Sequence, residues 1–304
     1  MRRIVALSCA LVALTSCKSM QSEKGIVLSR SIEDFIPHDT VVLVGARIAK
    51  IQATPVYQKL STGSNFKELD DFVKRTRIDP RKDIDEVVFA SNGKDGVLIV
   101  RGRFEDPKAI EALLEKEGAR RITAGTRTIL TKDEAGLVFI DKTIALAAKM
   151  PYLESAVTPK GDDNSKRGVL HQVADLPQDK HIWGVAIGGF APIPLPQTGN
   201  LANLNRIFRS LETVTMTLDM QNGLSLDAMG ECGDEKDAKQ LHDMLRALIG
   251  FGRLSTPSDK PEMLRFFDKI KIDHAKRKVE LNADVPMDMI DYFLSITNQK
   301  RPAA

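Results

Sequence analysis

Between Thr213 and Val285 apolar and polar residues alternate with a period of two. Met216, Leu218, Met220, Leu224, Leu226, Val279, Leu281, Ala283 and Val285 form one set, and Thr215, Thr217, Asp219, Ser225, Asp227, Glu280, Asn282 and Asp284 form the other. Successive strand side chains point to opposite faces, so this stretch predicts an antiparallel sheet with one face on a core and one in water. Its breaks are hairpin turns. Gln221-Asn222-Gly223 separates Thr213–Met220 from Leu224–Met229, and Lys276-Arg277 separates Ile270–Ala275 from Lys278–Val285. Asn92-Gly93-Lys94-Asp95-Gly96 does the same between Glu86–Ser91 and Val97–Phe104, and Asn-Gly suits the positive φ of tight hairpin turns.

Helical spacing fills the gaps between hairpins. Asp106-Pro107 supplies an N-cap and a Pro at N1 for Lys108–Glu117, and Gly118 stops it. Asp234–Gly250 carries Ala238, Leu241, Leu245 and Leu248 on one face, with Asn203–Leu211, Pro261–Lys269, Pro286–Thr297 and Pro151–Val157 as shorter helices. The fold class is therefore α+β, antiparallel sheets backed by helices. Two stretches read as copies of one unit. Ile36-Pro37-His38-Asp39 and Leu176-Pro177-Gln178-Asp179 each precede an apolar strand. Val87, Gly96, Val97 and Ile99 align with Val214, Gly223, Leu224 and Leu226, and Gly102, Asp106 and Lys108 with Gly230, Asp234 and Lys236. The expected organisation is a first repeat over 34–157, a polar linker over 158–170, a second repeat over 171–297 and a tail over 298–304. The stretch Gly188–Thr198 holds three prolines and is apolar, so it is read as a loop.

The N-terminus follows different rules. Arg2 and Arg3 precede an apolar run, Ile4–Leu14, of eleven residues, about half of what a membrane-spanning helix needs. The run ends in Leu14-Thr15-Ser16-Cys17, which resembles the lipobox of bacterial lipoprotein precursors. That resemblance covers only these opening residues and no family is recognised for the remainder. It implies a signal peptide over 1–16, diacylglycerol and further acyl groups (palmitate among them) on Cys17, and a polar tether over 17–33. It also implies export and anchoring to the cell envelope, and Lys18 in place of Asp after the cysteine favours the periplasmic face of the outer membrane over the inner membrane.

Composition limits what the exported body does. The chain has 304 residues, 42% hydrophobic and 28% charged, which suits a globular protein. Its formal charge of +3 falls to near +1 without Arg2 and Arg3, so nothing calls for nucleic acid as a partner. Beyond the signal and the lipid-bearing Cys17, Cys232 is the one cysteine left, and it reads as a small buried hydrophobe in a domain without disulfides.

Catalytic and metal motifs are missing from the sequence: no Walker loop, H-E-x-x-H, G-x-S-x-G, C-x-x-C or EF-hand loop. His38, His171, His181, His242 and His274 lack ligand spacing. Ser91-Asn92-Gly93-Lys94 matches S-x-x-K formally but straddles a turn. Asp79, Asp83, Asp85 and Glu86 sit among Arg81 and Lys82 and read as a capped, solvated turn. Arg101, Arg103, Arg121 and Arg127 read as arginines paired to local acids, with an anion-binding patch as the alternative. Gly184–Gly189 has no helix after it to hold a phosphate. The expectation is a non-enzymatic binding module without cofactor or metal, taking an envelope protein or envelope component on an open sheet face or on the proline loop. Two alternatives remain: a carrier holding an apolar ligand between sheet and helices, and an enzyme whose residues converge only in space.

Overall fold

The strands predicted from alternation all join one antiparallel sheet. The computed structural model describes residues 25–61, 67–157, 167–188 and 209–299. Cys17, the proline stretch beyond Gly188 and positions 203–208 lie outside them. The strands are β1 (Val42–Ala46), β2 (Ile84–Ser91), β3 (Gly96–Gly102), β4 (Arg120–Ala124), β5 (Arg127–Lys132), β6 (Ala135–Phe139), β7 (Ile144–Lys149), β8 (Ile182–Ile187), β9 (Leu211–Asp219), β10 (Leu224–Cys232), β11 (Ile270–Ala275) and β12 (Lys278–Val285). They run in the order β11-β12-β10-β9-β8-β1-β2-β3-β7-β6-β5-β4. With the eleven helices of the described residues, this is the α+β class expected.

Outward from β1 and β8 the two halves follow the same path. A strand pairs with a hairpin, then with the second strand of a later hairpin: β1-β2-β3-β7-β6 on one side and β8-β9-β10-β12-β11 on the other. Val87 stands opposite Ala46 as Val214 stands opposite Ala186. The first half adds a further hairpin, β4–β5, at its edge. One detail departs from the sequence alignment. Ser91 pairs with Gly96, whereas Leu218 pairs with Leu226, so the second hairpin is three residues longer. An odd insertion reverses the faces. Val97 and Ile99 therefore point to one side and their aligned partners Leu224 and Leu226 to the other.

Helices follow whichever face is apolar. On one side of the first half, Leu43, Val88, Val97, Ile99, Leu146 and Val138 make a core. It is closed by α1 (Arg30–Glu33), α7 (Met150–Val157) and α8 (Arg167–Ala174), through residues such as Ile32, Leu153 and Val173. On the reverse side α4 (Lys67–Thr76), α5 (Pro80–Asp83) and α6 (Pro107–Lys116) gather over the first half, while α2 (Ile48–Gln52) and α3 (Pro55–Ser61) reach across to the second, with Ile51 and Val56 packed with Met220 and Ile290. There Ile110 and Leu114 of α6 pack on Ala145, Val100 and Leu137. The same side of the second half takes α9 (Glu235–Leu254) and α10 (Pro261–Asp268), with Leu241 and Leu245 over Val279, Leu281 and Ile272. The last helix, α11 (Met287–Gln299), lies there too, with Ile290 against Met220.

Caps stand where the sequence puts them. The Asp106 carboxylate accepts from Ala109 N–H and that of Asp234 from Asp237 N–H. Gly118 takes φ +94° behind α6. Two bounds are corrected: α9 continues past Gly250 to Leu254, and Leu211 opens β9 instead of closing a helix. The strand pattern wins at Leu211 because its side chain is 5% exposed and packs with Cys232.

The halves meet at β1 and β8, which pair from Val42–Ala186 to Ala46–Ile182. Gly45 stands opposite Trp183, whose fully buried ring fills the space a side chain there would take. A Cβ on Gly45 would lie 2.2 Å from the indole. Gly45→Ala is expected to destabilise the chain by about 2 kcal/mol through overpacking. Denaturant unfolding followed by the fluorescence of Trp183, the chain's one tryptophan, measures it.

Candidate functional site

The second half of the sheet has a polar face that no helix of the described residues covers. Its helices α9 and α10 pack on the apolar side, and the opposite side carries cross-strand rows read from the register. Thr217, Asp227, Asn282 and Lys271 form one row. Thr215, Met229, Glu280 and Asp273 form the next. Asp219, Ser225 and Asp284 make a third at one end. Thr215 and Thr217 are buried beside the β8 layer, whereas Lys278, Glu280, Asp284, Lys271 and Asp273 are exposed. Within the face Asn282 Nδ2 donates to Asp227 (2.9 Å), Ser225 Oγ donates to Asp284 (2.6 Å), and Lys180 Nζ lies 3.5 Å from Asp227. Arg277 at the β11–β12 turn reaches Glu212 (2.6 Å) and Glu231 (3.1 Å). Acids outnumber bases. Asp273 stands directly opposite Glu280, a like-charge pair that disfavours the isolated sheet slightly.

An apolar cavity of about 400 Å³ lies in the first half, between the sheet and the helices α4 and α6. Phe72, Leu114, Leu130, Leu137 and Ala147 line it, with Arg75 and Lys132 at its polar margin. Its volume falls in the range of small-molecule sites, and its lining is of the mostly apolar kind such sites use.

The remaining sequence candidates resolve into structural roles. Ser91 Oγ donates to Asp95 C=O and accepts from Gly93 N–H, so it shapes the turn from which Lys94 projects. Asp79 caps α5 by accepting from Arg81 N–H, and its side-chain bond to Arg81 holds its carboxyl below the usual range; Arg81 also pairs with Asp70. Asp83 accepts from Asp79 N–H. The arginines are not brought together. Arg101 pairs with Glu86 (2.8 Å), Arg103 donates to Lys82 C=O, Arg121 pairs with Glu111 and Glu115, and Arg127 lies over the Phe35 ring. Gly184 is a mid-strand residue of β8, and Gly188 turns at φ +76°. Cys232 is fully buried, and burial pushes its thiol pKa up, away from nucleophilic reactivity.

Among the histidines, His171 lies 3.5 Å from Asp175, and His242 and His274 stack with ring centroids 4.4 Å apart. Sequence spacing did not foretell that stack, because a strand and a helix bring the two rings together. No group of three or more His, Cys, Asp or Glu among the described residues is arranged to hold a metal ion. His181 is a buried strut: its Nδ1 accepts from Met220 N–H at 3.1 Å, which requires the neutral ring.

No protein-family profile matches the sequence, and no curated protein matches it. Among solved structures the chain is similar to TP0453 in crystal forms I, III and IV. Identities are 10, 12 and 10% and TM-scores 0.43, 0.44 and 0.45. The matches cover 84, 84 and 86% of this chain and 93, 94 and 95% of the other. Likeness of that size bears on no residue's role.

Burial, only partly offset by Asp219 nearby, lowers the His181 pKa from the ordinary 6.5. The unfolded chain then binds the proton more readily, so stability is full above that ordinary value and falls as the pH drops below it. His181→Asn, which keeps an acceptor for Met220 N–H, is expected to flatten this part of the stability–pH curve. Denaturant midpoints across the acid range read the difference.

Proposed function

We propose that this chain is a non-catalytic envelope lipoprotein, anchored by lipid on Cys17, that docks a protein partner on the polar face of its second half. The observation that carries the docking reading is the asymmetry of the sheet. The same face is roofed by α1, α7 and α8 over the first half, and its strands there are apolar. Over β10, β12 and β11 it is polar and uncovered among the described residues. Hydroxyl, amide and carboxylate groups standing in strand register form a stiff array whose positions the backbone ladder fixes. Rigid polar arrays favour recognition because few side chains must be ordered on binding. The acidic excess suits a partner with a basic surface, since complementary potentials speed encounter and select partners.

The anchor reading rests on the charged, apolar and lipobox segments of the N-terminus. Two or more acyl chains hold a protein stably where one does so marginally. With an anchor at Cys17, the partner belongs to the envelope, most suitably at the periplasmic face of the outer membrane. No helix of the described residues is long and apolar enough to cross a membrane.

The cavity under α4 and α6 favours a second reading, a carrier for an apolar or amphiphilic ligand. Its chains would lie along Leu130, Leu137 and Ala147, with a polar head near Arg75 and Lys132. Native mass spectrometry of the full chain extracted from membranes tests it. Co-purified lipid that Ala147→Trp removes would support the carrier, and a lipid-free wild-type chain would end it.

Cys17→Ala is expected to abolish acyl labelling and release the chain from membranes; a variant that stays membrane-bound contradicts the anchor. For the docking face, crosslinking followed by capture of the full chain from its own membranes should recover one reproducible partner. Asp227→Lys with Asp284→Lys should lower that recovery about tenfold, as loss of complementary charge does. Equal recovery from the doubly substituted chain would contradict the docking face.

A further inference from the structure

We infer that the outer edge of β11 joins two copies of this chain through a two-fold strand pair centred on Ile272. β11 ends the sheet, and among the described residues nothing pairs with its outer side. An unpaired edge is a template for another strand unless something blunts it. Beside it lies a groove of about 520 Å³, lined by Ile249, Phe267, Ile270 and Ile272 with Arg246 and Arg253. The groove thus offers apolar contacts on one side of an incoming strand.

Backbone parity fixes which register that strand can take. Asp284 N–H donates to Lys269 C=O, and the β11–β12 pairing runs on from there with Lys271 opposite Asn282 and Asp273 opposite Glu280. In an antiparallel ladder hydrogen-bonded and non-bonded pairs alternate. Residues 269, 271, 273 and 275 therefore turn their backbone groups toward β12, and Ile270, Ile272 and His274 turn theirs outward. A two-fold centred on Ile272 sets Ile272 against its own copy and Ile270 against His274 of the second copy. Each of these is a pair with outward N–H and C=O on both strands, so the ladder closes without a slip.

The side chains match in the same register. Lys271 falls opposite Asp273 of the second copy, and Asp273 opposite its Lys271, on the polar face and at the non-bonded positions where side chains approach most closely. The like-charge neighbours Glu280 and Asp273 would then be extended by a lysine. The full row becomes Met229, Glu280, Asp273, then Lys271, Asn282 and Asp227 of the second copy. A shift of one residue in either direction breaks both the ladder parity and the charge match. The opposite edge of the sheet, β4, offers no such self-match. There a two-fold centred on Ile122 sets Arg121 against Thr123, and Arg121 is already held by Glu111 and Glu115. Pairing at β11 leaves the rest of the polar face uncovered and doubles it across the axis, so it stands or falls independently of the docking partner.

Cysteine pairing in the full chain tests the register. Residues 271 and 273 of the two copies would have Cα atoms about 4.5 Å apart, within disulfide reach. Residues 271 and 271, being diagonal, would lie about 7–8 Å apart, beyond it. Co-expressed Lys271→Cys and Asp273→Cys chains should therefore form a disulfide-linked dimer under mild oxidation. Each variant alone should stay at the wild-type baseline that the chain's own cysteines set. In sedimentation of the purified full chain in detergent, Lys271→Asp should weaken dimerisation about tenfold, and Lys271→Asp with Asp273→Lys should restore it to within about threefold of wild type. A monomeric wild-type chain overturns the proposal. So does crosslinking that is equal in the single variants, or a ladder of higher multiples, which would place β11 against a different edge.

Discussion

The contact between β1 and β8 is the joint on which the rest depends. Five cross-strand pairs, from Val42–Ala186 to Ala46–Ile182, weld two seven- and five-strand halves into one sheet. The pairing has a local two-fold centred on Val44 and Gly184, and each half leaves the joint by the same path. Trp183 over Gly45 seals it with a large aromatic surface that only glycine opposite admits. Its Nε1 is buried without a hydrogen-bond partner among the described residues, a polar cost that the ring's packing offsets. Arg47 strengthens the same junction by donating to the carbonyls of Gln178 and Lys180, and Asp39 ties the β2–β3 turn to Tyr152 through Asn92.

From that joint the two halves diverge in which side they bury. In β7 the residues Ile144, Leu146 and Ala148 face the core that α7 closes. In β12 the corresponding side carries Glu280, Asn282 and Asp284, and the apolar Val279, Leu281 and Val285 turn the other way. The helix after each strand follows the apolar side, so α7 and α11 end on opposite faces of the sheet. This divergence creates the polar face. Among the described residues, a sheet backed by helices on both faces over the first half becomes one backed on a single face over the second, and the polar array follows the strand composition.

Much of this is legible in the residues themselves. Period-two alternation at 213–229 and 270–285 marks both faces of the second half, and the register confirms that the Asp227 and Asn282 side stands apart from the Leu226 and Leu281 side. Asp106, Asp234 and Gly118 mark their helix ends because capping is local chemistry. What could not be read is non-local. Strand order is set by long-range pairing, so β4 as an outer edge and the meeting of β1 with β8 leave no trace in spacing. The cavity under α4 and α6 needs Phe72, Leu114 and Leu137 to converge from segments far apart in the chain. The alignment of Val97 with Leu224 fails because it counts residues without knowing that the second turn is longer.

A partner docked on the polar face of the second half would cover it in the cell and leave it exposed in the purified chain. Carboxylate footprinting of Asp227, Glu280 and Asp284 by mass spectrometry, in intact cells and on the purified full chain, measures this directly. With a docked partner, all three are expected to label strongly in the purified chain and to be protected in cells, with carboxylates on other faces, such as Glu115, labelled equally in both. Equal labelling of the three in both settings would contradict the docking.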